Sequence, residues 1–300
     1  MKKLSIGIVL LILTIVSCKE KDNNEDQNLG LLALVALSGG ISEIPFQLSV
    51  GTDTSFGCNK LVTSQQVSTS TNFYLKDARF YVHDVKLVKA DGSTVDFTLT
   101  SDNKWQTSKV ALLDFEDGTG DCSSGTTETN KSLKGSAPLG SYVGVEFKVG
   151  VPVELNHMLN TTADAPLNSS AMYWSWVSGY KFMKFEWVTR DGAATNGTFH
   201  LGSGTCSGTG SSSTCSIINV PTITVKTSGS VAWNPTSNPV YFDAKALVNT
   251  TNTNPSSGGA ALTCMAGNAN AACKPLLNNV GVKETDGTSL GSQSTFYIKP

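Results

Sequence analysis

The run Val143-Gly-Val-Glu-Phe-Lys-Val-Gly-Val151 carries an apolar residue at every odd position and a small or charged one at every even position. Side chains of a strand alternate between two faces, so this run reads as a β-strand with one face in a core. Tyr81-Val-His-Asp-Val-Lys-Leu87 repeats the pattern, with Tyr81, His83, Val85 and Leu87 on one face. From Phe182 to Val188, Met183, Phe185 and Trp187 oppose Lys184 and Glu186. Phe46–Val50, Thr222–Val225, Val240–Ala244 and Thr295–Lys299 are further candidate strands. Clusters of Gly, Asn, Asp and Ser separate them, and the 28 glycines suit many turns. Helix is scarce: Ser169 or Ser170 caps a short turn at most. The pattern predicts an all-β fold, an antiparallel β-sandwich or a barrel-like domain with long loops.

The N-terminus directs where such a domain would work. Lys2 and Lys3 precede the apolar run Leu4 to Val16, which ends in Ile15-Val16-Ser17-Cys18. This is the layout of a secretory signal peptide over residues 1–17, and a Cys at the cleavage point resembles a bacterial lipobox. Cys18 is then lipidated, residues 18–41 form a leader and tether, and a single β-rich domain follows over 42–300. The expected location is the cell envelope, anchored on the periplasmic face or the outer surface of the outer membrane. Leu31 to Leu37 is too short to span a bilayer and reads as a first strand or short helix. Removing Lys2 and Lys3 leaves 20 basic against 24 acidic side chains, a net charge of −4. That balance disfavours nucleic acid as a partner.

Beyond Cys18 there are six cysteines, at 58, 122, 206, 215, 264 and 273. An even count in an exported chain points to disulfides rather than metal thiolates. Cys206 and Cys215 bracket one short Gly/Ser/Thr-rich loop, and Cys264 and Cys273 bracket an Asn/Ala-rich one. Local pairing gives Cys206–Cys215 and Cys264–Cys273, leaving Cys58–Cys122. Each of the two short closures contributes about 2–3 kcal/mol by restricting the unfolded chain. The chain has no CxxC and no CxxCH, which argues against a zinc ribbon and excludes an attached c-type haem.

The three histidines are His83, His157 and His200. His83 sits on an apolar strand face, where a core imidazole with satisfied hydrogen bonds is the plainer reading. His157 follows a strand, in Gly150-Val-Pro-Val-Glu-Leu-Asn-His157, where a loop can aim a side chain at a site. His200 lies in Thr198-Phe-His-Leu-Gly202. Three imidazoles without an acidic cluster suit copper, zinc, iron or nickel. HExxH does not occur. Asp114, Glu116 and Asp117 offer acid–base or calcium chemistry, but their spacing departs from an EF-hand and acids before Gly118 are ordinary turn formers.

Several segments in order resemble the MbnP family, also called metallo-mystery pair four-Cys motif proteins. They are Trp105-Gln, Val110-Ala-Leu-Leu-Asp-Phe-Glu-Asp-Gly118, Gly150 to His157, Pro166-Leu-Asn, Met172-Tyr-Trp-Ser-Trp-Val-Ser-Gly-Tyr-Lys-Phe182, and Phe199-His-Leu-Gly-Ser203 with Cys206. Cys264-Met265 and Cys273 extend the match. The resemblance implies an exported protein paired with a di-haem cytochrome c peroxidase homologue, MbnH. That enzyme oxidises a Trp of its partner to kynurenine, and the modified protein binds copper. The opened ring offers an aniline nitrogen and a carbonyl where an indole is a poor ligand. Carried onto this sequence, His157 and His200 become copper ligand candidates, with His83 a third that rests on its strand alone. Trp174 and Trp176 lie within the matching motif and share a face with Met172 if extended; Trp105 is another candidate for modification. Six disulfide cysteines depart from the family's four.

The leading expectation is a copper-binding lipoprotein that performs no catalysis of its own and meets the membrane only through its lipid. Two alternatives differ in class. One is a disulfide-stapled surface lipoprotein that binds a host or envelope partner without metal. The other is a copper enzyme acting on a small molecule.

Overall fold

Residues 40–67, 72–190, 194–249, 262–266 and 270–299 are described by a computed structural model of the chain, and all lie in the unit from Gly40 onward. The signal peptide, Cys18, the leader up to Gly39 and the Leu31–Leu37 run lie outside the described residues.

The strands predicted by alternation form two sheets. The larger runs in the order Thr222–Lys226, Gly144–Val149, Phe73–Val88, Gly179–Thr189, Thr195–Gly202 and Thr263–Met265. Leu61–Val62, Thr94–Asp96 and Ala111–Asp114 pair beside Phe73–Val88, and Tyr173–Ser175 pairs with Gly179–Thr189. The smaller sheet runs Phe296–Tyr297, Val240–Asp243, Glu43–Ser49, Ser132–Ser136 and Thr98–Leu99. Neither sheet closes into a barrel, so the sandwich form of the prediction is the one adopted.

The antiparallel expectation holds except at two pairings. Phe46–Ser49 runs parallel to Val240–Asp243, and Thr198–His200 runs parallel to Thr263–Met265. Alternation fixes which face a residue occupies but is silent on strand direction. The candidate strand Val240–Ala244 also ends one residue early, because Asp243 turns the chain. Its side chain accepts from the backbone N–H of Lys245 at 2.9 Å and caps the helix Ala244–Val248. Ser170–Met172 is a single 3-10 turn after Ser169, whose side chain makes no capping hydrogen bond.

Aromatic rings join the two sheets. Phe46, Phe242 and Phe296 of the smaller sheet meet Phe80, Phe147 and Phe185 of the larger at centroid separations of 5.4 to 6.2 Å. All six are buried, and such pairs add about 0.5–1.5 kcal/mol each beyond the area they bury. Trp187 belongs to this core beside Phe73 and Phe185, while buried Trp233 donates its indole N–H to the Asn238 carbonyl at 2.7 Å.

The outer face of the larger sheet is unusual in being charged and covered. Strand register places Asp114, Arg79, Lys184, His200 and Met265 in one row across five strands. Paired residues share a face, so Asp77 and Glu186 stand beside this row. Arg79 ion-pairs with Asp77, and Lys184 Nζ lies 2.8 Å from Asp77 and 3.4 Å from Glu186. Asp77, Arg79, Asp114, Lys184 and His200 are all buried.

Disulfides join Cys58–Cys122, Cys206–Cys215 and Cys264–Cys273. The second links a separate two-stranded hairpin, Gly204–Ser207 with Thr214–Ile217, in which Cys206 and Cys215 are register partners.

Candidate metal centre

The segment Met172 to Phe182 folds as a tight hairpin. Tyr173–Ser175 pairs with the start of Gly179–Thr189, and Trp176-Val-Ser178 makes the turn. The backbone N–H of Ser178 donates to Ser175 Oγ at 3.1 Å, and Gly179 closes the turn at φ +76. Gly is required here twice over. The left-handed backbone disfavours a side chain, and a Cβ would stand 2.4 Å from the amide of Asn156. The chain is therefore extended only up to Ser175. Met172 is buried, Trp174 half-buried and Trp176 exposed at 49%, so the three do not share one face.

This hairpin brings each of two tryptophans to one histidine. His157 Nδ1 lies 2.7 Å from the backbone carbonyl of Trp176. A carbonyl only accepts, so Nδ1 carries the proton and Nε2 presents its lone pair. Nε2 lies 3.5 Å from Asn156 Nδ2 and 3.7 Å from Cys215 Sγ, facing a cleft of about 250 Å³. Asn156 is itself held: its Oδ1 accepts the Tyr180 N–H at 3.0 Å. Trp174 packs its ring against Gly202, where a Cβ would stand 2.5 Å from Cζ3, and its ring centroid is 6.3 Å from that of His200.

His200 is engaged differently. Its Nε2 lies 2.7 Å from Glu186 Oε1, while Nδ1 is buried without a partner. Burial lowers the imidazole's proton affinity against the pull of Glu186. Burial alone would raise the Glu186 carboxyl, but the His200 hydrogen bond and Lys184 outweigh it and bring it to about 2. His200 thus belongs to the covered charged layer as much as to any open site.

His83 is buried, and neither ring nitrogen makes a hydrogen bond. Nδ1 stands 3.5 Å from Asp84 Oδ1, and Asp84 takes a left-handed φ of 49 where the strand register slips. Burial lowers the His83 proton affinity, favouring the neutral, lone-pair-bearing ring. His83 lines a larger cleft of about 610 Å³ that shares Val151, Val153, Glu154 and Ile218 with the cleft of His157. The sequence favours His157 and His200, whereas the imidazoles that line clefts are those of His157 and His83. Among the described residues no three His, Cys, Asp or Glu side chains converge as a ready-made metal cage.

Trp105 lines neither of these clefts. It is half-buried against the core, its backbone N–H donates to Asp102 at 2.7 Å, and Lys104 Nζ sits 5.3 Å over the ring. Asp114 and Glu116 are buried beside Arg79 and Asp77 rather than set around a cation loop. Burial pushes the Asp114 carboxyl up to about 7 despite a hydrogen bond from the Glu116 N–H and the charge of Arg79. Asp117 forms a local turn with Thr119.

Two participants were not apparent from sequence. Glu186 carries no motif and meets His200 only through strand register. Cys215 reads as a staple, and its nearness to His157 depends on how the hairpin folds. Asn156 was within reach, as the neighbour of His157 in the same motif.

The MbnP family model matches residues 40–266. Among solved structures, MbnP from Methylosinus trichosporium superposes with a TM-score of 0.70 at 25% sequence identity, covering 86% of this chain and 97% of that one. No curated protein matches this sequence.

Proposed function

Because this chain belongs to the MbnP family, we propose that it is an envelope lipoprotein that binds copper at a site of imidazoles and one oxidised tryptophan. One observation carries the reading. His157 gives its Nδ1 proton to the Trp176 carbonyl and turns the Nε2 lone pair toward a cleft, beside the hairpin that holds two candidate indoles.

The residues present fit the metal. His157 offers Nε2, and His83 in the adjoining cleft offers nitrogens with no hydrogen bond to break. Neutral imidazoles suit copper in either common oxidation state. The fixed Nδ1–H bond of His157 sets tautomer and ring orientation in the way outer partners of metal-bound histidines do. His200 is the weaker candidate because Nε2 is engaged with Glu186.

Trp176 is the preferred indole for conversion to kynurenine. Its exposure suits oxidation by a separate di-haem peroxidase homologue, and its backbone already contacts His157. Opening the five-membered ring leaves an aryl amine and a ketone on a side chain at the hairpin tip. Bound copper would be carried or handed on, with no turnover by this chain, and Cys18 would tether the domain through its lipid.

The test is to produce the protein with and without a di-haem peroxidase homologue, then measure copper content and map each tryptophan by peptide mass. Expected is one converted tryptophan and retained copper only in the co-produced protein. Intact tryptophans together with no copper under co-production would overturn the reading.

A further inference from the structure

We infer that the Cys206–Cys215 disulfide caps a latent thiolate–imidazole copper site, in which reduction frees Cys215 to join His157 as a ligand. The inference rests on the proposed role of His157, and it assigns a function to a bridge that otherwise reads as a staple.

Position carries the inference. Cys215 Sγ is 3.7 Å from His157 Nε2, and the proton on Nδ1 leaves Nε2 with only its lone pair toward that sulfur. Cys215 and His157 line the same cleft. This bridge also differs from the other two in access. Cys206 and Cys215 are half-buried, whereas Cys58, Cys122, Cys264 and Cys273 are all buried. Thiol–disulfide exchange needs an attacking thiolate to reach sulfur, so access selects this pair.

Opening it leaves the sandwich intact. The bridge closes a separation of nine residues within a hairpin that is part of neither sheet, whereas Cys58–Cys122 spans 64 residues. The chemistry balances with an external dithiol as reductant. One thiolate of the dithiol attacks Cys206 Sγ, the S–S bond breaks, and Cys215 leaves as thiolate beside His157. The second thiol then displaces Cys206, and the dithiol departs as its own disulfide. Two electrons have passed to the cysteines, the proton of the second thiol ends on Cys206, and Cys215 stays a thiolate. A soft thiolate next to a neutral imidazole favours Cu(I) over harder ions.

Graded reduction with dithiothreitol, followed by alkylation and peptide mapping, should label Cys206 and Cys215 before the other four cysteines. Cu(I) affinity is then read by competition with bicinchoninate for wild type before and after that partial reduction. The same measurement compares Cys206→Ser, which leaves Cys215 free, with Cys206→Ser/Cys215→Ser. Reduced wild type and Cys206→Ser should each bind Cu(I) about tenfold or more tighter than the double variant. Adding His157→Ala to Cys206→Ser should remove the gain. Simultaneous labelling of all six cysteines overturns the inference, as does equal affinity with Cys215 free or absent. The wild-type arm needs no substitution, so a misfolded variant does not blunt the test. Copper held by oxidised protein but unchanged on freeing Cys215 sinks this inference alone. Copper held only when Cys215 is free sinks the proposed function alone.

Discussion

His157 and Trp176 are joined by a 2.7 Å hydrogen bond from the imidazole Nδ1 to the backbone carbonyl, so the turn that exposes one indole also orients one imidazole. Replacing the ring severs both roles. His157→Ala should weaken copper binding by more than about 100-fold, as expected when a metal's ligand set is broken. It should cost only about 1 kcal/mol of stability, the net worth of one hydrogen bond. Chelator competition and chemical denaturation check the two. His200→Ala should do the opposite, sparing copper and lowering stability, because it strips Glu186 of a partner inside the covered layer.

Trp176→Phe should abolish the mass change of kynurenine formation when the di-haem partner is present, while Trp174→Phe should leave it. Peptide mapping of both variants decides between the two indoles. Conversion persisting in Trp176→Phe and vanishing in Trp174→Phe would move the modified position to the ring that packs against His200.

Asp114 should make stability fall as pH rises. Its carboxyl titrates near 7 in the fold, above its ordinary 3.8, with burial the largest cause. The neutral form is therefore the one the fold prefers. Its contribution is complete below about pH 4 and is lost as pH climbs through 7. Arg79, Asp77 and Glu116 are the charges that act on it. Asp114→Asn keeps an acceptor for the Glu116 N–H and removes the titration. The stability of the variant relative to wild type should rise between pH 4 and pH 8 by about 2–4 kcal/mol. Urea denaturation at both pH values measures it, and a flat difference would contradict the assignment.

Gly179→Ala should cost about 1–2 kcal/mol, the usual penalty for a side chain in the left-handed region. The added carbon also meets the Asn156 amide, so His157 should shift with it. The stability loss should therefore be accompanied by weaker copper binding, although residue 179 bears no donor. Undiminished copper affinity at reduced stability would show that the Asn156–His157 arrangement adapts.

Much of the sandwich could be read from alternation because one apolar face per strand is what a sheet-on-sheet core demands. The core face of Met183, Phe185 and Trp187 is where the pattern puts it. The opposite face misleads: Lys184 and Glu186 alternate like solvent-facing residues, yet Lys184 is buried and Glu186 half-buried. Periodicity says which side a residue takes but not whether further chain covers that side. The site divides similarly. His157 stands out in sequence as a histidine in a loop after a strand. Its bond to Trp176 does not, because the acceptor is a backbone carbonyl, and that group carries no residue signature. The parallel pairing of Phe46–Ser49 with Val240–Asp243 joins segments far apart in the chain, beyond the reach of any local pattern.

The aromatic core between the sheets also sets an order of events. Phe46 lies in the first strand of the sandwich and Phe296 in the last, yet both rings close on Phe80 and Phe147 at the centre of the core. A chain that emerges N-terminus first, whether from a ribosome or through a membrane pore, has to wait for its final strand before the hydrophobic interior is sealed. Until then the phenylalanine cluster stays partly open to water. Of all the stages in this protein's life, synthesis is therefore when it is most exposed to aggregation and to chaperone capture.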